Sequence, residues 1–216
     1  PLHAPLRRQR QMCIRDSGTE TLTIGFTENG MFDASGTAAA QTQKINSVKL
    51  FDLSAPIITE SKLNSDNSKV TIRFSVPVYA DAKASLTLEP DDFKLTLVGG
   101  TATLKSTTPS SIDSSENGKR YQLGLDVIGI PDGREVLTIN PVDNNIYDDA
   151  ANPANKVQDN NSMNLFDKQP PTITSISLSK ANDTLFVTLS EAAYAKDTGS
   201  DTLVIGCLLY TSEDAD

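Results

Sequence analysis

One stretch of this chain occurs twice. G-T-E-T-L-T-I, beginning at Gly18, returns as G-R-E-V-L-T-I at Gly133, an offset of 115 residues. The same offset carries Asp33 to Asp148, and Leu50-Phe51-Asp52 to Leu165-Phe166-Asp167. It carries Pro56 to Pro171, Ile58 to Ile173, Leu63 to Leu178, Ser75 to Ser190 and Tyr79 to Tyr194. No gap is needed between Gly18 and Ala80, and roughly a third of those positions are identical. Chance does not hold register that long, so the chain is read as a piece of a tandem-repeat protein. A boundary falls at F-D-x-x-x-P, where proline starts the next segment extended. One whole repeat then spans 54–168. Residues 18–53 are the tail of a preceding repeat, and 169–205 are the head of the next.

The two ends stand apart from this pattern. PLHAPLRRQRQMCIRDS and CLLYTSEDAD resemble peptides made when sequencing-adapter DNA is translated with a metagenomic read. Segments 1–17 and 206–216 are therefore set aside from fold reasoning, as an expression scar would be. They hold both cysteines, Cys13 and Cys207, and the single histidine, His3. What remains has no disulfide framework, no thiolate nucleophile and no imidazole base.

Within one repeat the apolar period is two. Val70, Ile72 and Phe74 alternate with Thr71, Arg73 and Ser75, the pattern of a half-buried strand. Phe93, Leu95 and Leu97 repeat it, and Gly99-Gly100 breaks it. Thr101 to Thr107 restarts a strand, so these two segments are expected to pair as a hairpin. Tyr121, Leu123 and Leu125 alternate again, followed by Leu137 and Ile139, then Met163 and Leu165. Turn signals separate the runs: Asp66-Asn67, Asn117-Gly118, Pro131-Asp132-Gly133 and Asp143-Asn144-Asn145. Seven or eight short strands without a helical period predict an all-β fold, a two-sheet sandwich. The Ala38–Ala40 run is expected to be loop, because its repeat mate is Pro153-Ala154-Asn155. Only 38% of residues are hydrophobic and Trp is absent, so the core must be thin and aliphatic.

Three motifs resemble a bacterial immunoglobulin-like repeat of the surface-layer and adhesin type. They are P-x-I…V-x-I-x-F-S-x-P-V from Pro56 to Val78, D-F-x-L-x-x-x-G-G-x-A-T-L from Asp92 to Leu104, and the Y-D-x-A-x-N loop, Tyr147 to Asn152, followed by F-D-x-x-P-P, Phe166 to Pro171. The resemblance covers nearly all of 18–205. It implies immunoglobulin-like β-sandwich repeats, one complete and two partial, acting as a spacer or adhesive unit of a large secreted or cell-surface protein. Its immediate partners would be the adjacent repeats. Val76, where the family often has Glu, and Ala151, where it often has Gly, depart from the pattern without threatening the fold.

Function is constrained mainly by exclusion. A net charge of −9 disfavours a nucleic-acid partner, which needs clustered Lys and Arg. No apolar run is long enough to span a membrane. Catalysis is not expected: without histidine the usual base is missing. The acid pairs Asp91-Asp92 and Asp148-Asp149 sit in turns, where carboxylates are ordinarily solvated. Gly99-Gly100 lacks the Lys-Ser/Thr of a phosphate loop. Tyr79 and Tyr194 are read as packing residues at a sandwich edge. The loop Asp143 to Asn155 is the most oxygen-rich segment, and two readings of it stay open. One is a calcium site built from Asp52, Asp143 and Asp148, brought together because the loop should sit beside the incoming linker, with Asp167 at the opposite pole. The other is an Asx-rich turn whose side chains cap its own backbone. A binding module for carbohydrate or protein, or an accessory repeat of a secreted hydrolase, is the alternative to a spacer. The low aromatic content, 6% with no Trp, favours the spacer.

Overall fold

A computed structural model describes residues 17–209. The foreign ends expected at 1–17 and 206–216, with His3 and Cys13, lie outside the described residues except for Ser17 and 206–209; Cys207 is exposed. The chain divides into two compact units, Pro1–Asp167 and Lys168–Asp216.

In the first unit β1 (Thr21–Thr23) and β2 (Ser47–Lys49) form an antiparallel ribbon. Then come β3 (Ile58–Leu63), β4 (Lys69–Phe74), β5 (Phe93–Val98), β6 (Thr103–Leu104), β7 (Ile112–Ser115), β8 (Arg120–Gly124), β9 (Val127–Ile128), β10 (Val136–Pro141) and β11 (Ser162–Asn164). One sheet has the order β3-β4-β8-β7, a second β11-β10-β5, and β6 pairs with β9. In the second unit β12 (Ile173–Leu178) and β13 (Leu185–Leu189) form an antiparallel ribbon. Among the described residues the only helices are single 3₁₀ turns, and none is long and apolar enough to cross a membrane. The fold is all-β, and Ala38–Ala40 is not helical: Ala38 bridges Phe32, and Ala39 and Ala40 are loop.

The alternation read from sequence is what closes the sandwich. Val70, Ile72 and Phe74 of β4 and Tyr121 and Leu123 of β8 face Phe93 and Leu95 of β5 and Leu137 and Ile139 of β10, all in one buried cluster. Leu125 joins it, and Leu97 is partly buried against it. Their sequence neighbours point outward, as strand geometry requires. At the centre three rings meet: Phe74 lies 6.2 Å from Tyr121 in an edge-to-face contact and 6.4 Å from Phe93. The Tyr121 hydroxyl donates to the Val78 carbonyl at 3.1 Å, and burial pushes its pKa up to about 12.

The expected hairpin across Gly99-Gly100 does not form. β5 pairs instead with β10, and β6 with β9; the link back to β5 is a bond from Leu95 N–H to the Thr107 carbonyl at 2.7 Å. The fully buried Glu135 carboxylate lies against the Gly99-Gly100 bend and accepts from the Thr101 and Ala102 N–H groups. Both glycines have positive φ, +82° and +59°. A Cβ on Gly100 would overlap the Glu135 carboxylate, and one on Gly99 would come within 2.7 Å of the Arg134 carbonyl.

The 115-residue offset recurs bond for bond. β1 pairs β2 with Leu22 opposite Val48, and β10 pairs β11 with Leu137 opposite Met163, the same register. The Thr23–Ser47 hydroxyl contact, 2.8 Å, matches Thr138–Ser162, 2.9 Å. Asn46 donates to the Ile24 carbonyl as Asn161 does to that of Ile139, both at 2.7 Å. At the other end β12–β13 copies β3–β4, including the bulge at Ile173/Ser175 and Ile58/Glu60.

The ribbons differ from their mates in what covers them. Leu137 and Ile139 are 0% exposed, whereas Leu22 and Ile24 are 43% and 63% exposed; Val70 is 0% exposed, and its mate Leu185 is 52% exposed. The same side chains without an opposed sheet stabilise little. Hydrogen exchange should therefore show 18–52 and 170–205 opening well before 54–168. Equal protection along the whole chain would contradict this.

Candidate functional site

The loop between β10 and β11 wraps one pole of the sandwich and grips the incoming chain. Gln158, buried, accepts from the Ile58 N–H at 2.7 Å and donates to the Asn155 carbonyl at 2.6 Å. Asn152 donates from Nδ2 to the backbone carbonyl of Asp52 at 3.1 Å. Tyr147 exchanges two backbone bonds with Tyr79, each 2.8 Å, which places Tyr79 at the sandwich edge. At the opposite pole the Asn67 side chain clamps Phe166, donating to its carbonyl at 2.8 Å and accepting from its N–H at 2.9 Å. There Asp167 packs against Gly133, as Asp52 packs against Gly18 in the preceding segment.

Asp148 is buried, and its oxygens are committed locally. Oδ1 accepts from the N–H groups of Ala150, 2.9 Å, and Asn152, 2.8 Å; Oδ2 accepts from Asn152 Nδ2 at 3.0 Å. Its mate Asp33 does the same with Ser35 and Thr37, at 2.9 and 2.8 Å. This is the Asx-turn arrangement. Asp143 is exposed, and Asp52 accepts from the Ser54 N–H at 2.9 Å. Asp52 and Asp149 line one open cleft of about 470 Å³, together with Gly18, Lys49 and Phe51. Among the described residues no three acids come together as a metal-holding group. The linker and the loop do meet, through Asn152 and a backbone carbonyl.

The acid pairs are not uniformly solvated. Asp91 and Asp149 are exposed, but Asp92 and Asp148 are buried. Asp92 accepts from the Glu89 N–H at 2.8 Å, and burial raises its pKa despite that bond. Glu135 is the most demanding group. Oε1 accepts from Thr101 and Ala102 N–H, both at 2.9 Å, and Oε2 from Asp132 N–H at 3.2 Å. Burial alone would raise its pKa; the bonds from Ala102, its own backbone, Asp132 and Thr101 outweigh burial and bring it down to about 2. None of the ion pairs among the described residues involves it.

Sequence reasoning did not single out Glu135 or Gln158, and it read Asn67 and Asn152 as turn and motif residues rather than as fastenings. For three of them a signal existed: Glu20, Gln43 and Asn182 stand at the same positions of the repeat. Asn152 had none, since its mate is Thr37.

These features define a two-sheet all-β sandwich whose polar residues serve its own loops and linkers. Solved structures of an S-layer protein are similar. The crystal structure of the S-layer protein rSbsC(31-844) matches at 21% identity and a TM-score of 0.36, over 58% of this chain and 15% of that one. The N-terminal part of the bacterial S-layer protein SbsC matches at 23% identity and a TM-score of 0.32, over 58% of this chain and 26% of that one. No family model matches the chain, and no curated protein matches it.

Proposed function

We propose that this chain is a stretch of tandem immunoglobulin-like repeats, 18–53, 54–168 and 169–205, serving as a structural spacer in a large secreted or cell-surface bacterial protein. The observation that carries the reading is the recurrence of strand register and hydrogen bonds at 115 residues, which supports reading each segment as part of one repeated unit. The strand order supports the immunoglobulin-like form. Taken in sequence as A to G, β3, β4, β5, β7, β8, β10 and β11 lie as A-B-E-D on one sheet and C-F-G on the other, the constant-type arrangement. A spacer needs stiff joints more than reactive groups. The buried carboxylates Asp92, Asp148 and Glu135 each accept from nearby backbone N–H groups, which fits a non-catalytic role. The Asn152 bond to the Asp52 carbonyl fits a stiff linker.

That joint is the place to test the reading. Backbone order parameters over residues 52–56 should equal those of the strands, about 0.85. Asn152→Ala should drop them below about 0.6; because Nδ2 also bonds the buried Asp148 carboxylate, the 54–168 core should melt several degrees lower yet stay folded. A linker already flexible in the unmodified chain would remove the spacer reading.

A further inference from the structure

The first and last strands of the central sandwich run side by side in the same direction. β3 begins beside the loop that leads into β11: the Ile58 N–H donates to Gln158 Oε1 at 2.7 Å, and Asn160 Nδ2 donates to the Ile58 carbonyl at 3.4 Å. β3 ends at a turn that meets the chain just past β11: the Asn67 side chain accepts from the Phe166 N–H at 2.9 Å and donates to its carbonyl at 2.8 Å. The two strands belong to different sheets, so side chains rather than a backbone ladder tie them. Asn67 and Gln158 are both buried, and a bond broken there leaves a desolvated polar group.

The chain enters this sandwich at the Ile58 pole and leaves it at the Phe166 pole. Tension on the two linkers therefore draws β3 one way and β11 the other, along their own axes. Each strand is also paired within its sheet, β3 with β4 from Ile58 to Leu63 and β11 with β10 from Ser162 to Asn164. Antiparallel ladder bonds lie perpendicular to the strands, so a pull along a strand loads them together instead of one at a time. The Asn67 bracket joins a turn drawn toward one pole to a residue drawn toward the other. The Gln158 bond does the same at the far end.

We propose that β3 and β11 are a load-bearing pair, sheared past each other by tension between the linkers and latched by the Asn67 and Gln158 side chains. All of these groups lie within the complete repeat. The proposal builds on the spacer reading, in that tension arrives through the linkers. Linker order tests that reading, and the response to force tests this one.

Pulling the full chain by its two ends in optical tweezers is the experiment. Rupture of the central sandwich is recognised by its length, since residues 58–166 drawn straight reach roughly 360–390 Å. The rupture rate is measured at several constant loads, and the unfolding rate in urea without load; forced rupture reads the unfolding barrier. Ile139→Val, a truncation in the core, should raise both rates by the same factor. Asn67→Gly tolerates the positive φ of +62° and deletes the bracket. It should raise the loaded rate about tenfold more than the urea rate and steepen the dependence of rate on force. Gln158→Ala should act alike at the other pole, and either variant alone carries the test. If both change the loaded and unloaded rates by one common factor, as Ile139→Val does, the proposal is overturned.

Discussion

Phe74→Ala should destabilise the 54–168 sandwich by about 3–5 kcal/mol. Phe74 is 0% exposed, on the last residue of β4, and touches rings from both sheets. Truncation removes the transfer free energy of the ring and leaves a cavity between Phe93 and Tyr121. Those rings stand on strands paired through the Tyr121–Ile72 and Phe93–Pro141 registers, so they cannot collapse into the space without disturbing both sheets. The repeat itself supplies the control. Leu189 occupies the same position in β13 but is only partly buried, and Leu189→Ala should cost under about 1 kcal/mol. Urea melts of the two variants give the comparison. A loss below about 1 kcal/mol for Phe74→Ala would mean the ring is not the keystone its burial implies.

The strands were legible because a half-buried strand writes its geometry into alternate residues. Val70-Ile72-Phe74 and Phe93-Leu95 are buried as the period-two pattern requires. The pairing of those strands was less legible. Gly99-Gly100 carries the local signature of a hairpin turn, and short-range reasoning pairs β5 with the next segment of chain. The structure pairs β5 with β10 and sets a carboxylate 35 residues away in sequence against the bend. Nothing near Gly100 announces that. A Glu among the polar residues of a strand start looks solvated, and only its recurrence as Glu20 hinted otherwise. Asp148 was legible as an important acid but not in its use. Composition cannot distinguish a carboxylate that awaits a cation from one whose lone pairs are filled by its own turn. Asp52 met the loop as strand geometry suggested, yet through its carbonyl, which every residue possesses and no sequence displays.

Glu135 should govern how this sandwich responds to acid. Its folded pKa, about 2, lies below the ordinary 4.5. A depressed carboxylate contributes stability that is fully present above the unfolded pKa and is lost as pH falls through the folded value. The window is therefore about pH 4.5 down to 2, and the shift corresponds to about 3 kcal/mol. Asp66, Asp81 and Glu116, also depressed by hydrogen bonds, act in the same sense. Asp92, raised by burial, acts in the opposite sense. These groups are common to the native chain and a Glu135→Gln variant, so the difference between the two isolates Glu135. The amide keeps the shape but keeps only one acceptor oxygen, so its NH₂ must face either the Asp132 N–H or those of Thr101 and Ala102. It should cost about 2–3 kcal/mol at pH 7, with most of that gap closing by pH 2. Gly100→Ala tests the same contact from the other side: its Cβ would need the space the carboxylate occupies, so it should destabilise the native chain strongly. In a Glu135→Ala background that steric part of the cost should disappear, leaving the strain of a positive φ. Parallel stability curves for the native chain and Glu135→Gln from pH 7 to 2 would show that the buried carboxylate is not held ionised by these bonds.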